Sequence, residues 1–251
     1  DQPGVGVNGF AAQRVKWDEP PGRDSAFKEK EIAKITLTKW LQEYECEFIS
    51  SDPLLIDSMI LANIKAELDR LKPVGKSGDI IFYKNPQPGM TYLIGGDLAT
   101  GTGSDYTVFV AYEFPSLEQV AEFRSNTTSS IVSYHMLKKM IKIFEKMKSS
   151  VYFTVENNGV GEGVITLFEA DEHPPETAEF VSETGQKRKG MTTTAKSKMQ
   201  ACLAFKEMVE RGSITMRSPI VLSELSSFVR AGGAYKAKSG ATDDAIMATI
   251  Q

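Results

Sequence analysis

Cysteine and histidine are scarce in this chain. Its 251 residues include two cysteines, Cys46 and Cys202, and two histidines, His135 and His173. No Cys-x-x-Cys pair occurs, so the sequence indicates neither a disulfide framework nor a zinc site. The two histidines are too few and too isolated along the chain to form a histidine-based metal site. Any metal site is therefore expected to consist of oxygen ligands.

Long apolar runs and an excess of positive charge are also missing. No run approaches the roughly 18 residues that span a bilayer, and no signal-peptide pattern opens the chain. The sequence therefore predicts an intracellular protein without a membrane partner. With 41% hydrophobic and 25% charged residues the chain is expected to be globular, and its net charge of −4 argues weakly against broad nucleic-acid binding. It begins at Asp1 and ends within a helical pattern at Gln251, so we expect a piece of a longer protein.

Two regions differ in character, and we place the boundary between residues 75 and 76. Residues 1–75 combine a Pro-Gly turn with an amphipathic helix around Phe27, a second amphipathic segment LTKWLQEYECEF and a short charged helix, ANIKAELDRL. The stretch KPVGKSGDI, rich in Gly, Lys and Pro, indicates a linker. Residues 76–251 form the second domain.

Strand and helix patterns alternate in the second domain. MTYLIGGD, DYTVFVAYEF and LEQVAEFRS predict three meandering strands, and a long helix is predicted after Ser129. SVYFTVE predicts a strand that is buried on both faces. Further on we expect strands at AEFVSE and SITMRS, helices at VGEGVITLFEA, TTAKSKMQACLAFKEMVERG and PIVLSELSSFVR, a loop or hairpin at GGAYKAKSG, and a last helix that starts at Asp243. The fold class is α/β, with a mixed central β-sheet that is flanked by helices and preceded by a small helical and linker segment.

Acidic residues occupy the ends of these elements. Asp97 follows the strand YLIGG, Glu156 ends SVYFTV, and Asp243 and Asp244 open the last helix. Converging carboxylates would raise each other's pKa unless a cation neutralised them. Oxygen ligands without Cys or His select Mg²⁺ or Mn²⁺ over zinc. These residues predict a metal-dependent phosphodiesterase, and Asp105 in the loop GTGSD adds a further acid.

Each acid also has a purely structural interpretation. Asp97 could be a turn residue, Glu156 could cap the following helix, and Asp243 with Asp244 could be an N-cap and a first-turn charge.

The Gly-Gly pair before Asp97 would allow another backbone, or a phosphate, to approach closely.

Lysine and arginine form two acid-free clusters. The segment KRKGMTTTAKSK and the loop GGAYKAKSG predict contacts with backbone phosphates, although the first could equally be a solvated loop. The predicted DNA-binding residues are Lys187, Arg188, Lys189, Lys196, Lys198, Lys236 and Lys238.

The acidic segments together resemble a known family. The order Asp, Glu, Asp-Asp resembles the RNase H-like nuclease superfamily. GGDLATGTGSDYTV, VENNGVG and GATDDAIMA are more narrowly similar to the nuclease domain of the large terminase subunit of tailed phages. Residues 1 to about 60 resemble the end of that protein's packaging ATPase domain and its linker, so residues 1–75 would be the remnant of that domain.

The resemblance implies roles for the acids. Asp97, Glu156 and Asp244 match the catalytic metal-binding triad, with Asp97 bridging two Mg²⁺ or Mn²⁺ ions. Asp105 matches an accessory acid of the metal site, and Asp243, also counted among the metal-site residues, would cap the helix and support the site. One ion would activate a water for in-line attack and the other would stabilise the leaving 3′ oxygen.

The same resemblance implies a biological setting. The enzyme would be an endonuclease that cuts concatemeric viral double-stranded DNA at the end of headful packaging, with little sequence preference. Portal protein and small terminase subunit would be its partners in the full motor. It would act in the host cytoplasm, transiently at the prohead portal, and would be absent from the mature virion. The alternatives are a Holliday-junction resolvase, a ribonuclease H, or a non-catalytic DNA- or portal-docking module.

Overall fold

The computed structural model describes most of the chain in two compact units. The units are Asp1–Ser51 and Asp52–Gln251. The described residues are 15–35, 40, 43–45, 54–183, 185 and 189–251. Within these ranges no helix is both long enough and apolar enough to cross a membrane.

The smaller unit contains one described helix and an aromatic cluster. Helix α1 runs from Ser25 to Lys34 and begins where the Asp24 carboxylate accepts the Phe27 amide proton at 2.9 Å. Trp40 is buried and stacks on Tyr44 with ring centroids 4.3 Å apart. The predicted helix at Phe27 is confirmed, whereas much of the second predicted segment, LTKWLQEYECEF, lies outside the described residues.

The larger unit is α/β. Its described helices are α2 Ser58–Leu68, α3 Ser130–Glu145, α4 Gly159–Glu169, α5 Ala195–Glu210, α6 Pro219–Leu225 and α7 Asp244–Ile250. Its described strands are β1 Gly75–Ser77, β2 Ile80–Phe82, β3 Thr91–Asp97, β4 Thr107–Phe114, β5 Glu118–Ser125, β6 Ser150–Val155, β7 Ala178–Phe180, β8 Phe228–Ala231 and β9 Ala234–Ala237.

Seven strands form one mixed sheet in the order β1-β2-β5-β4-β3-β6-β7, and β8 and β9 form a separate hairpin. Strands β3, β4 and β5 are an antiparallel meander, whereas β6 runs parallel to β3 and β7 runs parallel to β6. The chain returns from β5 through α3 before it enters β6, so β3 and β6 end at the same edge of the sheet. The predicted α/β fold with a mixed central sheet is confirmed.

Each face of the sheet carries its own apolar core. On one face, α3 and α4 pack against β3, β4 and β5 around Phe109 and Phe144. On the other face, α2, α5, α6 and α7 cover Val108 and Val110 of β4. Strand β4 is buried at seven of its eight positions because it is central and covered on both sides. The strand β6 is less covered than predicted, since Tyr152 is 40% exposed.

Three sequence-based assignments are corrected by the tertiary contacts. The predicted linker contains β1 and the first residue of β2, and these strands extend the sheet beside β5. The predicted strand SITMRS has only an isolated bridge between Thr215 and Glu118. The predicted helix PIVLSELSSFVR ends at Leu225, and its last residues form β8, which pairs with β9. Strand and helix propensities alone do not locate such short segments, because pairing with strands that are distant in the sequence determines their structure.

Residues 52–75 belong to the larger compact unit. The Leu55 amide donates to the Phe228 carbonyl at 3.0 Å, and α2 packs against α6. The origin of residues 1–75 as a remnant of an ATPase domain stays a prediction.

Candidate active site

Asp97 and Glu156 lie side by side at one edge of the sheet. Strands β3 and β6 are parallel, and their register places Gly96 opposite Val155, one residue before each acid. The Glu156 amide donates to the Gly96 carbonyl at 3.4 Å. The two acids therefore converge because their strands are neighbours in the sheet.

Asp244 reaches the same edge because helix α7 packs directly on β3. A Cβ atom at Gly95 would lie 2.0 Å from the Ala248 carbonyl oxygen, so only glycine permits this approach. Asp244 is the first residue of α7 and is almost fully buried. The prediction that the Gly-Gly pair admits another backbone is confirmed for Gly95, and that backbone carries the third acid.

A cleft of about 670 Å³ opens where these elements meet. Four aspartates line it, together with backbone and side chains from the β3–β4 loop and the start of α4. Its lining residues are Asp97, Leu98, Ala99, Thr100, Asp105, Asn158, Gly159, Val160, Asp243 and Asp244. Most of the predicted acids thus share one cavity, and Glu156 lies directly beside it.

The acids are electrostatically coupled. Burial, followed by the negative charges of Asp244, Glu156 and Asp243, raises the pKa of Asp97 to about 8. Burial also raises the pKa of Asp244, and the charges of Asp105 and Asp243 act in the same direction. This arrangement destabilises the ionised carboxylates, so it favours a cation between them.

Asp244 is held by the backbone of the β3–β4 loop. The Tyr106 amide donates to Asp244 Oδ2 at 3.2 Å. Asp243 occupies the N-cap position of α7, but its side chain makes no capping hydrogen bond, so the predicted capping role is wrong. Its carboxylate instead pairs with Lys198 Nζ at 3.0 Å. The physical reason is that the capping place is already taken by the carboxylate of Glu224, which accepts the Ala245 and Ile246 amides.

Glu156 is oriented by the loop that follows it. Asn158 Nδ2 donates to Glu156 Oε2 at 3.0 Å, while Asn158 Oδ1 accepts the Gly161 amide at 3.1 Å and caps α4. The alternative in which Glu156 caps that helix is therefore wrong. A Cβ atom at Gly161 would lie 1.7 Å from the Glu156 carbonyl oxygen, so this tight turn requires glycine.

The chemistry of the site fits a hard divalent cation. Its donors are carboxylate oxygens, the ligands that Mg²⁺ and Mn²⁺ prefer. Within the described ranges, no three or more His, Cys, Asp or Glu side chains are arranged closely enough to hold a metal as they stand. The carboxylates therefore lie in one cleft and raise each other's pKa, but they do not form a complete set of metal ligands as they are placed.

The predicted DNA-binding residues lie in three separate parts of the chain. Lys187 and Arg188 lie outside the described residues, and Lys189 is exposed and 3.4 Å from Glu169. Lys198 contacts the cleft through Asp243, and Lys196, two residues earlier in α5, is exposed. Lys236 and Lys238 lie in the β8–β9 hairpin and directly after it.

Segment 189–198 runs along Glu156. Met191 and Glu156 form an isolated parallel β-bridge through their backbones. Asn157 Nδ2 donates to the Lys189 carbonyl at 3.3 Å. The segment therefore borders the acidic edge of the sheet.

Four residues that support the acids of the candidate site were not predicted from the sequence. Asn158 could have been found, because an Asn directly before a helical run is an N-cap signal. No local sequence pattern marks Tyr106, Arg124 or Glu224, because each makes its contact with a residue that is distant in the chain. Glu224, for example, accepts the Ala245 amide at 2.9 Å.

A mixed sheet with carboxylates at the shared ends of two parallel strands, joined by an acid from a C-terminal helix, defines an RNase H-like nuclease fold. A family model described as the terminase RNaseH-like domain matches residues 94–251. The chain belongs to this family.

Solved structures of phage nucleases share the fold. The large terminase nuclease from thermophilic phage G20c with bound magnesium is 17% identical, with a TM-score of 0.59 over 80% of this chain and 96% of that chain. The same nuclease with bound cobalt has a TM-score of 0.58 at 17% identity, over the same shares of the two chains. The large terminase nuclease domain of Thermus phage P74-26 is 17% identical, with a TM-score of 0.54 over 76% of this chain and 92% of that chain.

Proposed function

We propose that this chain is a metal-dependent endonuclease that cuts concatemeric viral double-stranded DNA during headful packaging. The observation that carries the proposal is the set of four aspartates that line one cleft in a terminase RNase H-like domain. The magnesium-bound and cobalt-bound structures of the G20c nuclease support a divalent ion in this fold.

Asp97, Glu156 and Asp244 are the catalytic residues in this proposal, and Asp105 and Asp243 complete the acidic set. Two Mg²⁺ or Mn²⁺ ions, when bound, would neutralise the acids, activate water and stabilise the leaving 3′ oxygen. Asp97 contributes the central carboxylate, and its raised pKa means that ion binding must displace a proton near neutral pH. Asn158 fixes the Glu156 carboxylate, and the Tyr106 amide fixes that of Asp244.

The proposed partners follow from the family. Double-stranded DNA is the substrate, and portal protein and the small terminase subunit are the partners in the full motor. The protein would act in the host cytoplasm and transiently at the prohead portal, and it would not remain in the mature virion.

Cleavage of a supercoiled plasmid tests the proposal directly. We expect the purified chain to convert the plasmid to nicked and linear forms with Mn²⁺ or Mg²⁺, and to leave it intact with EDTA. If the chain binds DNA but cuts it with neither ion, the protein is a non-catalytic DNA- or portal-docking module and the enzymatic proposal is overturned.

The basic segment KRKGMTTTAKSK predicts the salt dependence of DNA binding. Replacing Lys187, Arg188 and Lys189 by Ala should weaken binding to unrelated sequences about equally, because phosphates carry no sequence information. The slope of log affinity against log salt should shrink by about 0.9 for each DNA phosphate that the variant no longer neutralises. Fluorescence anisotropy with two unrelated duplexes over a salt series measures both effects.

A matched removal of positive charge provides the control. Lys139, Lys142 and Lys146 lie toward the far end of α3, which leads into the start of β6, away from the cleft. Their triple alanine variant should leave the slope nearly unchanged. If the slope is unchanged in the first variant instead, the segment is a solvated loop and the DNA path is to be sought at Lys236 and Lys238.

A further inference from the structure

Helix α7, which presents Asp244, is anchored by a carboxylate from another helix. Glu224 of α6 is 4% exposed, and its Oε2 accepts the amides of Ala245 at 2.9 Å and Ile246 at 3.1 Å. Its other oxygen, Oε1, accepts the Thr242 hydroxyl at 2.8 Å. One side chain therefore binds the backbone after Asp244 and the residue before Asp243.

This contact replaces the local cap that the helix lacks. Asp243 makes no side-chain capping bond, so the first amides of α7 depend on Glu224. A seven-residue helix has little stability of its own, because nucleation is costly and most helix stability comes from tertiary contacts. Glu224 therefore helps to fix the position of the Asp244 backbone, together with the packing of α7 on β3.

Arg124 of β5 links this anchor to the Asp244 carboxylate. Its guanidinium lies 4.0 Å from Glu224 Oε1 and 3.5 Å from the Thr242 hydroxyl. It also lies over the Tyr106 ring, 3.2 Å from the centroid, and the Tyr106 amide is the donor to Asp244 Oδ2. One cation thus contacts both the group that fixes the Asp244 backbone and the residue that fixes its carboxylate.

We propose that Glu224 and Arg124 are positioning residues that hold Asp244 in the geometry needed for divalent-ion binding. Neither side chain is among those that line the cleft. The proposal rests on the proposed function, because it assigns to Asp244 the role of a ligand. The contacts predict that both residues act on ion affinity and on turnover, and that neither acts on the affinity for DNA.

Graded variants of Glu224 test the anchor. Glu224→Gln keeps an oxygen for the helix amides, and its Nε2 can donate to the Thr242 hydroxyl, so it retains both contacts but loses the negative charge that strengthens them. Glu224→Ala retains neither. We expect Mn²⁺ affinity, measured by calorimetry without DNA, to fall by about tenfold for Gln and further for Ala. Amide hydrogen exchange at Ala245 and Ile246 should quicken in the same order.

A variant of Arg124 separates positioning from direct contact with DNA. Arg124→Lys keeps the charge but removes the planar group that stacks on Tyr106. We expect weaker Mn²⁺ binding and a lower kcat, with the KM for DNA and the salt slope unchanged. A raised KM with normal Mn²⁺ affinity would assign Arg124 to phosphate contact and overturn its positioning role.

Glu113 supplies the matched control. It is a buried carboxylate that pairs with Lys84 at 2.8 Å, at the end of β4 remote from the cleft. Glu113→Gln should lower the stability of the protein without changing Mn²⁺ affinity or exchange in α7.

The ion-binding and cleavage results distinguish the two proposals. A wild-type chain that binds Mn²⁺ through Glu224-dependent contacts but cuts no DNA overturns the nuclease and leaves the positioning role in place. If the wild type cuts DNA and the Glu224 and Arg124 variants bind Mn²⁺ and cut equally well, the positioning role is overturned and the nuclease stands. Wild-type protein that binds no Mn²⁺ overturns the positioning role as well.

Discussion

Asp97→Asn is expected to lower the rate of plasmid cleavage by about a thousandfold or more. The substitution preserves the size of the side chain but removes the charge at the centre of the acidic cluster. Stabilisation by bound ions contributes several kcal/mol to phosphodiester hydrolysis, and about 4 kcal/mol corresponds to this reduction in rate. Single-turnover cleavage with saturating Mn²⁺ measures the effect, and Glu156→Gln should behave similarly.

Asp243→Asn is the matched control for this reduction. The Asp243 carboxylate pairs with Lys198 and makes no capping bond, so the variant gives up only a partly exposed ion pair and should retain appreciable activity. Wild-type rates for both Asp97→Asn and Glu156→Gln would refute the assignment of the active site. A larger reduction for Asp243→Asn than for Asp244→Asn would exchange the roles of these two residues.

The same Asp97→Asn variant should be more stable than the wild type in EDTA near pH 8. The pKa of Asp97 is about 8 in the folded protein, against 3.8 for the unperturbed group. Between these values the folded state binds more protons than the unfolded state, so the wild-type free energy of unfolding falls as pH rises. Asn removes this penalty, which by linkage amounts to about 5 kcal/mol near pH 8 and is close to zero near pH 4.

Urea unfolding of both proteins across this pH range provides the measurement. The wild type retains the contribution of Asp244, whose pKa is also raised, so only part of the slope should disappear. Equal stability of the two proteins at both ends of the pH range would mean that the pKa of Asp97 is not raised in the folded protein. The acids that make the cleft suitable for a cation thus lower the stability of the protein when no cation is bound. This trade-off between stability and function is expected of active sites.

Gly95→Ala should have the second largest effect, although Gly95 carries no functional group. The added methyl would lie 2.0 Å from the Ala248 carbonyl oxygen, and backbone on both sides resists displacement. Overpacking of this kind costs about 1–3 kcal/mol, and we expect the upper end of this range in the free energy of unfolding. Because α7 carries Asp244, displacement of the helix should also slow cleavage by about a hundredfold.

Gly75→Ala is the control for Gly95→Ala. Gly75 lies in β1, and a Cβ atom there meets no atom within 4 Å. Its unfolding midpoint and cleavage rate should match those of the wild type. Cleavage is compared at a temperature at which circular dichroism shows Gly95→Ala to be folded. Full activity of Gly95→Ala under that condition would show that α7 can shift without disturbing the site.

The sequence predicted the fold where its patterns were long. The strands around Asp97 and Glu156 and the helix after Ser129 were found because apolar periodicity persists over six or more residues in each. Short elements were missed or misplaced, as with β1, β2 and β8. Their sheet positions depend on pairing with distant segments, such as Ile80 with Phe123.

The acids of the cleft were also evident from the sequence. Carboxylates at strand ends are chemically conspicuous, and a Gly-Gly pair beside one of them indicates a close approach. Asp97, Asp105, Asp243 and Asp244 do share one cleft. The capping role of Asp243 failed because its position before a helix is compatible with a cap but does not require one. The catalytic roles of these residues stay a prediction.

The sequence by itself determined the carboxylate character of the candidate site, through the type and order of the acids. Only the tertiary structure decided what holds them. Glu224 reaches the amides that follow Asp244, and Arg124 of β5 reaches Glu224, because α6 and α7 pack on the sheet that contains β5. Hydrogen bonds across such separations leave no periodic trace in the chain, since they depend on where packing brings two polar groups together.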